Sequence, residues 1–226
     1  KFGYTGSMEQ YNTLANDGQS ALIEKKSRFL GFAVRLQSTA AAESHLAGLR
    51  KTYADANHVV FAYRMLLPEQ YSRFSDDGEP KGTAGPPLMD ALTGAGLYHA
   101  GLFVVRYFGG TKLGTGGLVR AYGKCASLAL EAAGICTQTR VRRYQVTVGY
   151  DMGERVQDGL QRSGFVISQV QFLAQVSFQV AVPLARVENF ESQILDLSAG
   201  QADVLQLDDS YLPMAKEATI KGTNPA

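Results

Sequence analysis

Two glycine-rich segments carry most of the residues able to do chemistry. The first is FSDDGEPKGTAG (residues 74–85) and the second GGTKLGTGG (residues 109–117). Eleven of the 24 glycines lie between Phe74 and Gly117, and each segment runs into a stretch with helical character. A helix N-terminus carries unpaired N–H groups and a partial positive charge, and glycine lets the backbone approach an anion closely. Cations stand nearby: Lys81 in the first loop, Lys112 in the second, and Arg120 and Lys124 four apart on the following helix. The pattern predicts an anion- or phosphate-binding surface built from Lys81, Gly82, Thr83, Lys112, Gly114, Thr115, Gly116, Gly117, Arg120 and Lys124. A tight strand-to-helix turn with incidental lysines accounts for the same residues.

The specific nucleotide motifs fail. Gly109 and Gly114 have the spacing of a P-loop, but Thr115 stands where lysine is required. Gly114 and Gly116 begin a dinucleotide fingerprint, and Val119 ends it wrongly. Asp76, Asp77 and Glu79 crowd one loop. Three carboxylates suit Mg²⁺, which takes oxygen ligands; they also suit solvated charges, or partners for Lys81 and Arg106. His58 begins a strand, where it is a candidate general acid or base, a base-stacking ring, or a structural histidine. Lys25, Lys26 and Arg28 cluster at a presumed hairpin turn, either solvated or extending a phosphate contact strip. No Ser-His-Asp or Cys-His arrangement follows from chain order alone, because such sites depend on geometry. Cys125 and Cys136 are too few for a disulfide framework or a zinc site, and Cys125 occupies an apolar helix position, as a buried thiol would.

The elements that must position these residues are legible from periodicity. Two strand pieces flank Glu24–Arg28, the inner one running from Phe29 to Leu36. A helix follows over 39–53 with Thr39 as cap, then a strand over 58–67 with Val59, Phe61, Tyr63 and Met65 on one face. Residues 68–85 read as a polar loop. Pro86 and Pro87 open a short helix to Thr93. A buried strand spans 102–108, and a helix spans 118–134. This first part reads as an α+β domain, a sheet with helices on one face. Beyond it come a strand (142–150), a helix (151–164) capped by Asp151, two strands (165–172 and 174–183), a helix (184–200) and a last strand (202–212). That is a βαββαβ order, and it sets a domain boundary near 138–142.

The bulk numbers exclude several classes. The 226 residues are 45% hydrophobic and 19% charged with a net charge of +1, so any basic site must be local. No apolar run is long enough to span a membrane, and no apolar leader is visible. Residues 1–7 read as vector-derived with Met8 as the native start, and the tail over 215–226 reads as frayed. Cysteine usage suggests a reducing cytoplasm.

KKSRF (25–29), FSDDGEPKGTAGPP (74–87) and VVRYFGGTKLGTGGLVRAY (104–122) resemble the IMPACT family, in particular its bacterial YigZ-like branch. His58 and the AYR at 62–64 match a further family segment. The resemblance covers roughly residues 9–135. It implies a ribosomal protein S5 domain 2-like fold for residues 8–138 and a ferredoxin-like domain over 142–214, a pairing also found in elongation factor G. Eukaryotic members regulate translation initiation, and no accepted catalytic residues or cofactor come with the resemblance. The expectation is a non-catalytic, cytoplasmic protein that binds RNA, the ribosome or other nucleic acid and has a role in translation regulation. The alternative is a Mg²⁺-dependent enzyme acting on a nucleotide or small phosphorylated substrate. A third reading is a protein-interaction module.

Overall fold

The computed structural model describes residues 8–66 and 70–213. The readings made for residues 1–7 and for the tail over 215–226 lie outside them. The described residues form an α+β protein with two antiparallel sheets and five α-helices. Among the described residues the chain divides into two units, one within Tyr11–Thr137 and the other of residues 8–10 and 138–213.

The first unit is built on strands β2 (Gly18–Glu24), β3 (Ser27–Arg35), β4 (His58–Met65), β5 (Tyr71–Ser75) and β6 (Ala100–Tyr107). Their order across the sheet is β2-β3-β6-β4-β5. Helices cover both faces, which corrects the one-face expectation. Val59, Phe61, Tyr63 and Met65 share one face of β4, as the alternation predicts, and pack with α1 (Thr39–Thr52). Val60 and Ala62 point the other way, into a second core with α2 (Gly85–Gly94) and α3 (Thr115–Ala133). A strand buried on both faces carries apolar residues at both parities, and HVVFAYRM does so.

Local details differ from expectation for physical reasons. Ser38, not Thr39, caps α1: its hydroxyl accepts from the Ala41 N–H. The polar loop hides the edge strand β5, whose side chains are mostly exposed and so lack an apolar signal. Helix α3 begins at Thr115 rather than Leu118, so Gly116 and Gly117 of the second loop lie in its first turn.

In the other unit, β7 (Ile135–Val148), β8 (Val166–Phe172), β9 (Val176–Pro183) and β10 (Asp203–Pro213) lie in the order β10-β7-β9-β8, all antiparallel. Short β1 (Gln10–Leu14), which belongs almost wholly to the first unit, has no counterpart in the sequence pattern. Helices α4 (Tyr150–Arg162) and α5 (Val187–Ser198) supply Met152, Val156, Leu160, Phe190 and Ile194 to a core with Val176, Phe178, Val180 and Val182. Gly149 rather than Asp151 occupies the cap position of α4, and Asp151 lies in its first turn. Strand β7 runs through 138–142 without a break.

Candidate functional site

The two glycine loops have different fates. In the first, Asp76 already fills the N-terminus of α2. Its Oδ1 accepts from the N–H groups of Ala84 (3.0 Å) and Gly85 (2.8 Å), and its Oδ2 from Gly82 N–H (2.8 Å). Burial pushes the Asp76 carboxyl up, but these three backbone donors together hold it below the usual range. Gly82 therefore spends its donor inside the protein. Thr83 is buried, with its hydroxyl donating to the Pro80 carbonyl at 2.6 Å. Neither matches the predicted anion-binding role, and Lys81 is left as an exposed side chain.

The carboxylates do not converge either. Asp77 turns toward β4 and α1, where its Oδ2 accepts from Val59 N–H (2.7 Å) and its Oδ1 from Arg50 (2.8 Å). Glu79 goes inward. Its Oε1 accepts from Arg106 Nη1 at 2.5 Å and from the Tyr122 hydroxyl at 2.7 Å. The Glu79 and Arg106 side chains are only 3% and 6% exposed. The predicted magnesium cluster gives way to three separate engagements, and among the described residues no group of His, Cys, Asp or Glu large enough to hold a metal forms. The partnership of a loop carboxylate with Arg106 is realised. Burial, followed by the Glu79 charge, raises the Tyr122 pKa, so this phenol stays a hydrogen-bond donor. His58 joins at the margin: its Nδ1 lies 2.8 Å from the Asp77 carbonyl and its Nε2 3.8 Å from Glu79 Oε1.

The second loop opens outward. Its start is pressed against the β2–β3 turn. A Cβ on Gly109 would lie 2.0 Å from the carbonyl carbon of Lys26, so only glycine fits. Ser27 Oγ accepts from Gly109 N–H (3.2 Å) and from Arg106 Nη2 (3.4 Å). Lys25 and Lys26 form the turn itself, at φ 45° and 68°. Two consecutive left-handed residues give the hairpin geometry that normally selects Asn-Gly. Gly114 caps α3 at φ 72°, with no side chain bonded to the helix end.

Between this turn and α3 lies a groove of about 240 Å³ lined by Leu22, Glu24, Lys25, Leu113, Gly117, Arg120, Ala121 and Lys124. Arg120 folds back over the first turn of its helix, its Nη1 3.6 Å from where a Gly116 Cβ would stand. Three cations from two elements, with Glu24 beside them, thus line one groove along the first turns of α3. Of the predicted residues, the structure brings together Lys25, Gly117, Arg120 and Lys124, with Thr115 and Gly116 exposed on the same first turn. Lys112 and Lys26 are exposed but do not line the groove. Arg28 stacks on the Tyr107 ring, 4.7 Å from its centroid. Sequence reasoning missed Ser27, Tyr122 and Leu113. Tyr122 had a signal: a tyrosine at an apolar helix position needs a hydroxyl partner.

This geometry defines a two-unit α+β protein with a small groove beside α3 that carries three cations and one carboxylate. The chain matches the Impact N-terminal domain over residues 25–130 and the domain of unknown function DUF1949 over residues 146–201. It is 34% identical over 187 residues to the IMPACT family member YigZ of Escherichia coli, covering 82% of this chain and 92% of the relative. To the IMPACT family member YvyE of Bacillus subtilis it is 29% identical over 208 residues, 92% of this chain and 96% of the relative. A crystal structure described as that of a hypothetical protein matches with a TM-score of 0.58 at 32% identity, covering 89% of this chain and 99% of that one. The chain belongs to the IMPACT family. None of its described helices is long and apolar enough to cross a membrane.

Proposed function

We propose that this protein binds the phosphate backbone of single-stranded RNA, free or on the ribosome, through the groove between the Lys25–Lys26 turn and α3, without catalysing a reaction. The observation that carries the reading is the meeting of Lys25, Arg120 and Lys124 in one groove that also reaches Gly117 in the first turn of α3, whose start has no side-chain cap. Backbone N–H groups and cations position phosphates without reading sequence. The S5 domain 2-like assignment of the first unit and the ferredoxin-like assignment of the second lend support by analogy, since both folds occur in ribosome-binding proteins. The β10-β7-β9-β8 order is the one a ferredoxin-like domain requires. A role in translation regulation and a cytoplasmic setting follow from the same reading.

A nucleotide-transforming enzyme has less support. The groove, at about 240 Å³, falls below the roughly 300–1,000 Å³ of small-molecule pockets. Asp76, Asp77 and Glu79 are committed to other partners.

Salt dependence tests the proposal. Three cations on a single strand give a slope of log K against log salt near −2, or about 20-fold weaker binding between about 50 and 200 mM. Arg120→Ala with Lys124→Ala should bring the slope to about −0.7. Absence of binding at low salt, or a slope untouched by both substitutions, would falsify the reading.

A further inference from the structure

The geometry points to Glu79 as the positioning residue of the basic groove, setting both of its walls from beneath; this inference rests on the anion-groove reading. Glu79 comes from the first glycine loop, whose own helix end is closed to ligands by Asp76. Its Oε1 holds one wall directly, accepting from Tyr122, which lies on α3 between Arg120 and Lys124. It holds the other wall through two links. Arg106, paired to Glu79 at 2.5 Å, also donates to Ser27 Oγ, and Ser27 follows the Lys25–Lys26 turn directly. The same Ser27 oxygen accepts from Gly109 N–H, fixing the start of the second loop against that turn.

All of these groups lie beneath the walls, and none of Glu79, Tyr122, Arg106 or Ser27 lines the groove. Glu79 and Arg106 are nearly sealed from solvent, where hydrogen bonds between charged groups are strong and losing a partner is expensive. The network therefore fixes the separation of Lys25 from Arg120 and Lys124, and with it the fit to a phosphate. It also explains why the acidic loop and the basic loop occur together in one sequence: one is the other's support.

The test uses the full chain and a fluorescein-labelled single-stranded RNA, read by anisotropy at low salt. Tyr122→Phe and Ser27→Ala each remove one hydroxyl, change no charge and touch no groove residue. Each should weaken binding about threefold to tenfold, the equivalent of one misplaced hydrogen-bonded contact. Val60→Ala, a core change on β4 outside the network, serves as the stability control: it should lower Tm by at least as much while keeping wild-type affinity. If Arg120→Ala weakens binding but Tyr122→Phe and Ser27→Ala match the wild type, Glu79 has no positioning role and the groove reading stands. If Val60→Ala loses as much affinity as they do, general destabilisation replaces positioning. If the wild-type chain fails to bind, both readings fall.

Discussion

Replacing Asp76 by alanine tests whether the N-terminus of α2 already holds its anion. The carboxylate accepts three backbone N–H bonds, from Gly82, Ala84 and Gly85. Bonds to a charged acceptor are individually strong, but these three share one partly exposed side chain, so their values do not add. Losing a capping aspartate costs about 0.5–2 kcal/mol, and the extra bond to Gly82 places Asp76→Ala near the top of that range, at about 2 kcal/mol. Amide hydrogen exchange reads this where it happens: the Ala84 and Gly85 amides should lose about 30-fold in protection. The effect has a pH signature. The folded Asp76 pKa lies below the ordinary 3.8, burial being outweighed by the backbone donors. The folded carboxyl thus holds its proton less tightly than the unfolded one. Its contribution is complete above that ordinary value and fades as pH falls through the lower, folded one. Wild type and variant should therefore converge in strong acid. An Asp76→Ala protein within about 0.5 kcal/mol of wild type at neutral pH, with exchange at Ala84 and Gly85 unchanged, refutes the reasoning.

Two further outcomes follow from the geometry. Gly109→Ala forces a Cβ into the Lys26 backbone; it should cost about 2–4 kcal/mol in urea unfolding and abolish RNA binding, and a variant of wild-type stability would show the loop free to shift. Burial lowers the pKa of His45 and of His99, and for His99 the Arg35 charge lowers it further. The folded state therefore favours the neutral rings, so stability holds above the ordinary 6.5 and drops as pH falls below it. Melting temperatures at about pH 7.5 and 5 should show that drop, and the double variant His45→Gln, His99→Gln should shrink it; an undiminished drop assigns the effect elsewhere.

The strand and helix order of both units was legible because it rests on periodicity. Val176, Phe178, Val180 and Val182 alternate cleanly, and all four are buried. What escaped had no local signature. The strand Tyr71–Ser75 is an exposed sheet edge and reads as loop, and Gln10–Leu14 finds its partner more than a hundred residues away. The double-faced burial of β4 is written in Val60 and Ala62, although the other parity alone is enough to signal a strand. At the site, of the cations singled out by composition, Lys25, Arg120 and Lys124 share the groove and Lys81, Lys112 and Lys26 do not. Composition could not show that Asp76 reaches backbone groups six to nine residues ahead, nor that Glu79, alone among three neighbouring acids, turns inward. Those outcomes depend on how the loop folds over β4 and α3, which no spacing rule encodes.

The Lys25–Lys26 turn sets stability against use. Two lysines are held in left-handed backbone conformations, each at a cost of order 1–2 kcal/mol. Asn-Gly in their place would relax the hairpin and give a sturdier protein with one wall of the groove stripped of its charge. Selection for thermal endurance alone would drive the chain toward that exchange.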